Sequence, residues 1–259
     1  MAVQNVLPDP RDCVLIIVEG SDDKKILTAI FRKIQMEPKA RIIQSGGISN
    51  IPQTIKQEYR NHDRILVIVD SDRDPPEKRA KDLYHKIWEA LNQEGFSEES
   101  TQNYFYRLKS RDGSILDIII YPLFPEDYDQ IPCNDRLSSE CSERLNALVR
   151  SWPSELLSLV FPALLNQSVL IKFCEIPALS NQSTLIYNKF CEIIDLLIRQ
   201  NFPIPTVKFA IRLIGNLAGN YGSNGDIAAK IIENMDDGLF QKQFGRLIGL
   251  VQHMLKSKP

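Results

Sequence analysis

Several carboxylates in this chain stand where two apolar runs end. Val14 to Val18 is an unbroken aliphatic stretch, followed by Glu19, Gly20, Asp22 and Asp23. Ile65 to Val69 has the same texture and opens into Asp70, Asp72 and Asp74, spaced by one residue each. On an extended segment alternate side chains face one way, so Asp70 and Asp72 converge. Asp74 follows them by parity, although Pro75 confines its backbone to extended conformations. Converging carboxylates suit a hard, octahedral ion such as Mg²⁺ or Mn²⁺. A single acid after a strand is as readily a helix cap or a solvated group. Three acids directly after a wholly apolar strand weaken that bland reading. Asp22 and Asp23 are not separable on sequence: either can cap the following helix, and Gly20 allows a sharp turn beside them.

The elements that must position these acids alternate between strand and helix. Val14–Val18 and Ile65–Val69 read as buried strands, and Arg41–Gln44 as a short strand between them. A helix beginning near Lys24 places Ile26, Leu27, Ile30, Phe31 and Ile34 on one face. Gly46 and Gly47 turn the chain into a second helix, from about Ile48 to Tyr59. Pro75 and Pro76 then open a long amphipathic helix to about Leu91. Such alternation implies right-handed crossovers and a mostly parallel sheet flanked by helices, with sites at the carboxyl ends of the strands. Tyr104–Leu108 and Leu116–Tyr121 read as two further strands around the turn Arg111–Ser114, either a hairpin or an edge extension.

A strand ending in Glu19-Gly20-x-x-Asp23, then Gly46-Gly47, then a strand ending in Asp70-x-Asp72-x-Asp74, in that order, resembles the Toprim domain. The resemblance covers roughly residues 10–130 and rests on the combination of motifs. It is nearest to stand-alone Toprim nucleases of the OLD (overcoming lysogenization defect) type, a form found among effectors of bacterial anti-phage systems. It implies a metal-dependent nuclease that hydrolyses phosphodiester bonds of RNA or DNA. Glu19, Asp23, Asp70 and Asp72 would be catalytic. Glu19, Asp70, Asp72, Asp74 and Glu126 would hold Mg²⁺ or Mn²⁺, as two ions. Glu126, in the segment Glu126-Asp127-Tyr128, matches a family position that supplies a further ligand. Gly46, Gly47, Arg107, Lys109 and Arg111 are candidate substrate contacts. The glycines more readily shape the site, and the three basic residues also fit a solvated strand face. Lys172 is a guess for the lysine some OLD-like enzymes use. The implied partner is a nucleic acid, with any ATPase or sensor on a separate protein and a homo-oligomer left open. The alternative is a non-catalytic or partner-dependent regulatory subunit that binds metal or nucleotide.

Composition narrows these expectations. The 259 residues, 43% hydrophobic and 25% charged, are ordinary for a soluble globular protein. No apolar run has the length of a membrane span and no signal pattern opens the chain, so a cytoplasmic location without membrane contact is expected. Five cysteines without Cys-x-x-Cys spacing read as reduced thiols and exclude the zinc modules of primases and many topoisomerases. No Gly-x-x-x-x-Gly-Lys-[Ser/Thr] occurs, so no P-loop ATPase is present. Residues 1–135 hold 18 Lys/Arg against 23 Asp/Glu, and residues 136–259 hold 13 against 10. Acid is concentrated where a cation would offset it.

Past about Pro132 the texture becomes helical, which divides the chain into a catalytic domain, 1–132, and a helical domain, 133–259. Asn134–Leu148, Ser154–Leu165, Leu185–Arg199, Pro205–Leu217 and Gly238–Lys256 carry helical periodicity. Pro162–Ser168 is echoed by Pro177–Ser183, and Lys172–Ile176 by Lys189–Ile193, as in a local duplication of a helical segment. This region reads as a module for substrate or partner binding. His62, His85 and His253 have no partner pattern and are expected on helix or turn surfaces.

Overall fold

Six strands form one mixed sheet in the order β2-β1-β3-β6-β5-β4. They are β1 (Val14–Val18), β2 (Ala40–Gln44), β3 (Arg64–Val69), β4 (Ser97–Gln102), β5 (Phe105–Lys109) and β6 (Ile115–Pro122). The first four in spatial order run parallel, and β5 and β4 continue the sheet antiparallel. The computed structural model describes residues 13–71, 74–102, 104–123, 156–164, 183–200, 207–219 and 221–256, with a few positions between 139 and 169. The architecture is α/β, with flanking helices and a helical C-terminal region, and the sheet is not wholly parallel.

The apolar runs become interior strands because both their faces are covered: every residue of β1 and β3 is buried. Residues 15 and 17, 65, 67 and 69, and 116, 118 and 120 share one face. Helices α2 (Ile51–Glu58) and α3 (Pro76–Asn92) lie on it through Ile51 and Ile55, and through Ala80, Leu83, Tyr84, Ile87 and Leu91. The α3 set falls at helical spacing, which is why this stretch is a helix. Each large aliphatic side chain so buried contributes roughly 1.5–3 kcal/mol. β4 has the opposite character. Its sequence Ser-Glu-Glu-Ser-Thr-Gln is exposed throughout and forms the outer edge. Polar and charged edge strands resist pairing with another chain.

The chain forms two compact units. One comprises 1–24, 31–122 and 247–259, and the other 25–30 and 123–246. Helix α1 (Ser21–Lys33) and the last helix therefore each contribute residues to both. The second unit holds α4 (Leu156–Leu164), α5 (Ser183–Arg199), α6 (Val207–Leu217), α7 (Asn224–Asn234) and the first half of α8 (Asp237–Lys256). Within it α4 packs on α6 and α7, and α5 on α6. α7, not anticipated from sequence, starts at a capping box in which Ser223 and Asp226 exchange side-chain-to-backbone hydrogen bonds. Lys25 Nζ donates to both, at 3.0 Å to Ser223 Oγ and 2.8 Å to Asp226 Oδ2.

Of the expected helices, Asn134–Leu148 lies largely outside the described residues, as do most of the duplicated segments and Lys172. Cys13 and Cys191 are buried free thiols. One histidine corrects the expectation. His85 and His253 are exposed, but His62 is 1% exposed, with Nε2 3.3 Å from Arg41 Nη1 and 3.9 Å from a Glu58 carboxylate oxygen. It follows α2 at the point where the chain enters β3, and the neighbouring side chains bury it.

Candidate functional site

The strand order makes the site. From β1 the chain passes to β2 on one side, then returns to place β3 on the other. The carboxyl ends of β1 and β3 thus flank a topological switch point, where crevices form in open α/β sheets. Glu19 follows β1 and Asp70 follows β3, on neighbouring parallel strands. The Glu19 carboxylate spans the gap: its Oε1 accepts from the Asp70 backbone N–H at 3.1 Å. Holding one carboxylate oxygen fixes the plane of the group, as hydrogen bonds to ligating carboxylates do in metal sites.

On the other side of β1, the turn after β2 closes over the same residue. The Gly46 and Gly47 N–H groups both donate to the Glu19 carbonyl, at 3.1 and 3.0 Å. Ser45 donates to the Val18 carbonyl through its N–H and its hydroxyl, at 2.9 and 3.1 Å. The two glycines have φ of 77° and 121°. No backbone crowds a side chain at either position, so the conformation itself requires glycine. They hold the Glu19 backbone in place, which agrees with a shaping role.

Asp22 and Asp23, inseparable by sequence, differ in the structure. α1 begins at Ser21, earlier than periodicity indicates, and Asp23 Oδ2 accepts the Gly20 N–H at 3.0 Å. That is the reach-back of an acid at the third helical position, so Asp23 closes the first turn of α1. Asp74 is also committed locally. Its N–H donates to the Ser71 carbonyl at 3.0 Å, and its Oδ1 accepts Lys78 Nζ at 2.9 Å, one turn into α3. That carboxylate raises the Lys78 pKa.

Arg79 is the residue that sequence reasoning missed. Its Nε donates to the Asp70 carbonyl at 3.0 Å, tying α3 to the end of β3. Asp70 is thereby held by its N–H to Glu19 and by its carbonyl to Arg79. The one available signal was a cation in the helix that follows an acidic loop.

The basic cluster lies elsewhere. Arg107 sits opposite Asp117, which pairs with Arg64 at the start of β3. Six residues along a strand separate that level from Asp70, roughly 20 Å. Arg107 makes a two-pronged ion pair with Asp117, both contacts 2.7 Å, while its side chain stays 35% exposed. Lys109 is exposed farther down β5, and Arg111 packs its side chain against Gly95. The structure does not bring these three to Glu19 and Asp70.

Asp72 and Glu126 lie outside the described residues. Among the described residues, no group of three or more His, Cys, Asp or Glu side chains is disposed to hold a metal. What the structure brings together is the Glu19 carboxylate and the Asp70 backbone; a carboxylate is a hard oxygen donor of the kind Mg²⁺ or Mn²⁺ takes.

Residues 14–120, the span from β1 into β6, match the model of a family described as a protein of unknown function (DUF3226). Searches of curated proteins and of solved structures each returned no match.

Proposed function

We propose that the chain is a Toprim-type, metal-dependent phosphodiesterase, a nuclease acting on RNA or DNA. One observation carries the reading: the Glu19 carboxylate is locked onto the Asp70 N–H at the strand-order switch point. The Glu19 carboxylate is thus held against the end of β3, at the position where open α/β sheets form ligand crevices. Glu19 and Asp70, with Asp72 from the same loop, would hold Mg²⁺ or Mn²⁺. Such ions supply Lewis acidity toward a phosphoryl oxygen and acidify a bound water. The chain's own part is orientation. Arg79 and the Gly46-Gly47 turn clamp the backbone on which Asp70 and Glu19 stand, and Ser71, 3% exposed, anchors the loop between them and α3. The order of motifs supports a stand-alone enzyme of the OLD-like kind, of use to an anti-phage system.

A second reading has its own support. Asp23 and Asp74 are committed to the Gly20 N–H and to Lys78, which thins the set of donors around Glu19. A partner-dependent or regulatory metal-binding subunit needs fewer.

Cleavage of single- and double-stranded RNA and DNA by the purified chain with Mn²⁺ tests the proposal. The double variant Asp70→Ala, Asp72→Ala should lose about a thousandfold or more, the several kcal/mol that metal-borne charge stabilisation supplies. Retained cleavage would overturn the site. Cleavage only after partner proteins are added would favour the regulatory reading.

A further inference from the structure

Away from the Glu19–Asp70 end, the sheet carries a cavity of about 380 Å³ on the face opposite α2 and α3. Its floor is the antiparallel part of the sheet, where Phe105 stands opposite Ile119 and Gln102. Next along β5 is Arg107, whose guanidinium lies 5.6 Å from the Phe105 ring centroid. His253 and Met254 of α8 also line it.

The two guanidinium groups at this cavity are already paired. Arg107 is bound through two nitrogens to Asp117, which is 5% exposed. Arg64 donates to the Met254 and Leu255 carbonyls at 3.0 and 3.3 Å. An anion would find both guanidinium groups occupied. What the surface presents instead is a partly exposed aromatic ring, a flat guanidinium over it, and an exposed amide at Gln102. A neutral, planar group with hydrogen-bonding edges matches all three. Aromatic side chains on a sheet face stack bases in this way in single-strand binders, with arginine planes assisting.

We propose that this cavity holds one base of a single-stranded nucleic acid whose backbone reaches the Glu19–Asp70 end. The proposal rests on the nuclease reading. The two places lie on one sheet. Phe105 is level with Leu66 through Ile119, four residues short of Asp70 and two strands across. That is about 13 Å along the strands and about 10 Å across them, a span for a few nucleotides.

The test measures binding of oligo(U) and oligo(dT) by anisotropy with EDTA present, so that no cutting occurs. Phe105→Leu keeps apolar bulk without a stacking face, and Phe105→Trp restores one and reports on it. Phe105→Leu should weaken binding about 5- to 150-fold, the range for one stacked base. Phe105→Trp should bind like wild type and show indole quenching when oligonucleotide is added. The ratio of wild-type to Phe105→Leu affinity should hold between about 50 and about 200 mM salt, since no phosphate charge is met here. Equal affinity of Phe105→Leu and wild type, no binding of either oligonucleotide, or a ratio that vanishes with salt would each overturn the cavity. Whichever oligonucleotide wild type prefers identifies the source of the base.

Cleavage with Mn²⁺ is scored separately. An enzyme that cuts while Phe105→Leu binds normally keeps the nuclease reading and removes the base site. A protein that binds through Phe105 and never cuts does the reverse.

Discussion

Glu19 does two things that one substitution can separate. Its Oε1 accepts the Asp70 N–H, and in the proposed function its charge binds the cation. Glu19→Gln keeps an oxygen acceptor of the same reach and removes the charge. Without metal its thermal stability should stay within about 0.5 kcal/mol of wild type. Mn²⁺ should raise the melting temperature of wild type by mass action and raise that of Glu19→Gln far less. Differential scanning across a Mn²⁺ titration reads both; equal shifts would place the ion elsewhere. Glu19→Ala is a different experiment. It removes the acceptor from the part-buried Asp70 N–H, at about 1–3 kcal/mol.

At the scale of the element, the polar edge strand β4, paired with β5, is also joined to α3 by a side-chain contact. The Tyr84 hydroxyl of α3 donates to Glu98 of β4 at 2.5 Å, and the Tyr84 ring stacks on Tyr106 of β5 at 3.7 Å. Burial, then the bond to Glu98, pushes the Tyr84 pKa well above the usual tyrosine value. A raised pKa means that the folded state holds the proton longer than the unfolded one. The resulting stability is fully present below the unfolded value of about 10 and is lost as pH rises through the folded one. Urea unfolding above about pH 10 should show that loss. Tyr84→Phe should cost about 1 kcal/mol at neutral pH and blunt the alkaline decline. An unchanged decline in Tyr84→Phe would assign it to other groups.

At the scale of the molecule, the unit that carries the sheet is assembled from separated stretches. Residues 247–259 belong to it, although 123–246 form the other unit. Arg64, 6% exposed at the start of β3, directs its guanidinium onto the last carbonyls of α8. A chain ended after Arg246 should therefore lose more than a surface helix. It removes two carbonyl acceptors from a buried guanidinium, at about 1–3 kcal/mol. Circular dichroism melting of the truncated chain checks this, and a melt equal to wild type would show that residues 247–259 are dispensable to the sheet. Deleting a longer tail, from Pro203, would also confound loss of substrate binding with loss of fold.

Local pattern alone determined a good part of this protein. Unbroken aliphatic runs identify β1 and β3, because only a strand covered on both faces tolerates them. Helical spacing identifies α3, and the Asp112–Gly113 turn marks two strands that the structure pairs as the β5–β6 hairpin. The carboxylates at the strand ends are legible for the same reason: polar groups must wait until a buried strand stops. What only the tertiary structure decided are matters of partnership. β4 has no apolar face, so nothing in its own residues announces a strand, and pairing with β5 makes it one. His62 is buried by residues distant from it in sequence. Asp23 and Asp22 were equivalent until one of them met the Gly20 N–H. The partner of Arg107 was not legible until β6 brought Asp117 opposite it. The strand order, which sets Glu19 beside Asp70, arises from crossovers between residues some fifty positions apart. Short-range periodicity carries no record of those contacts; the free energy of packing the whole sheet selects them.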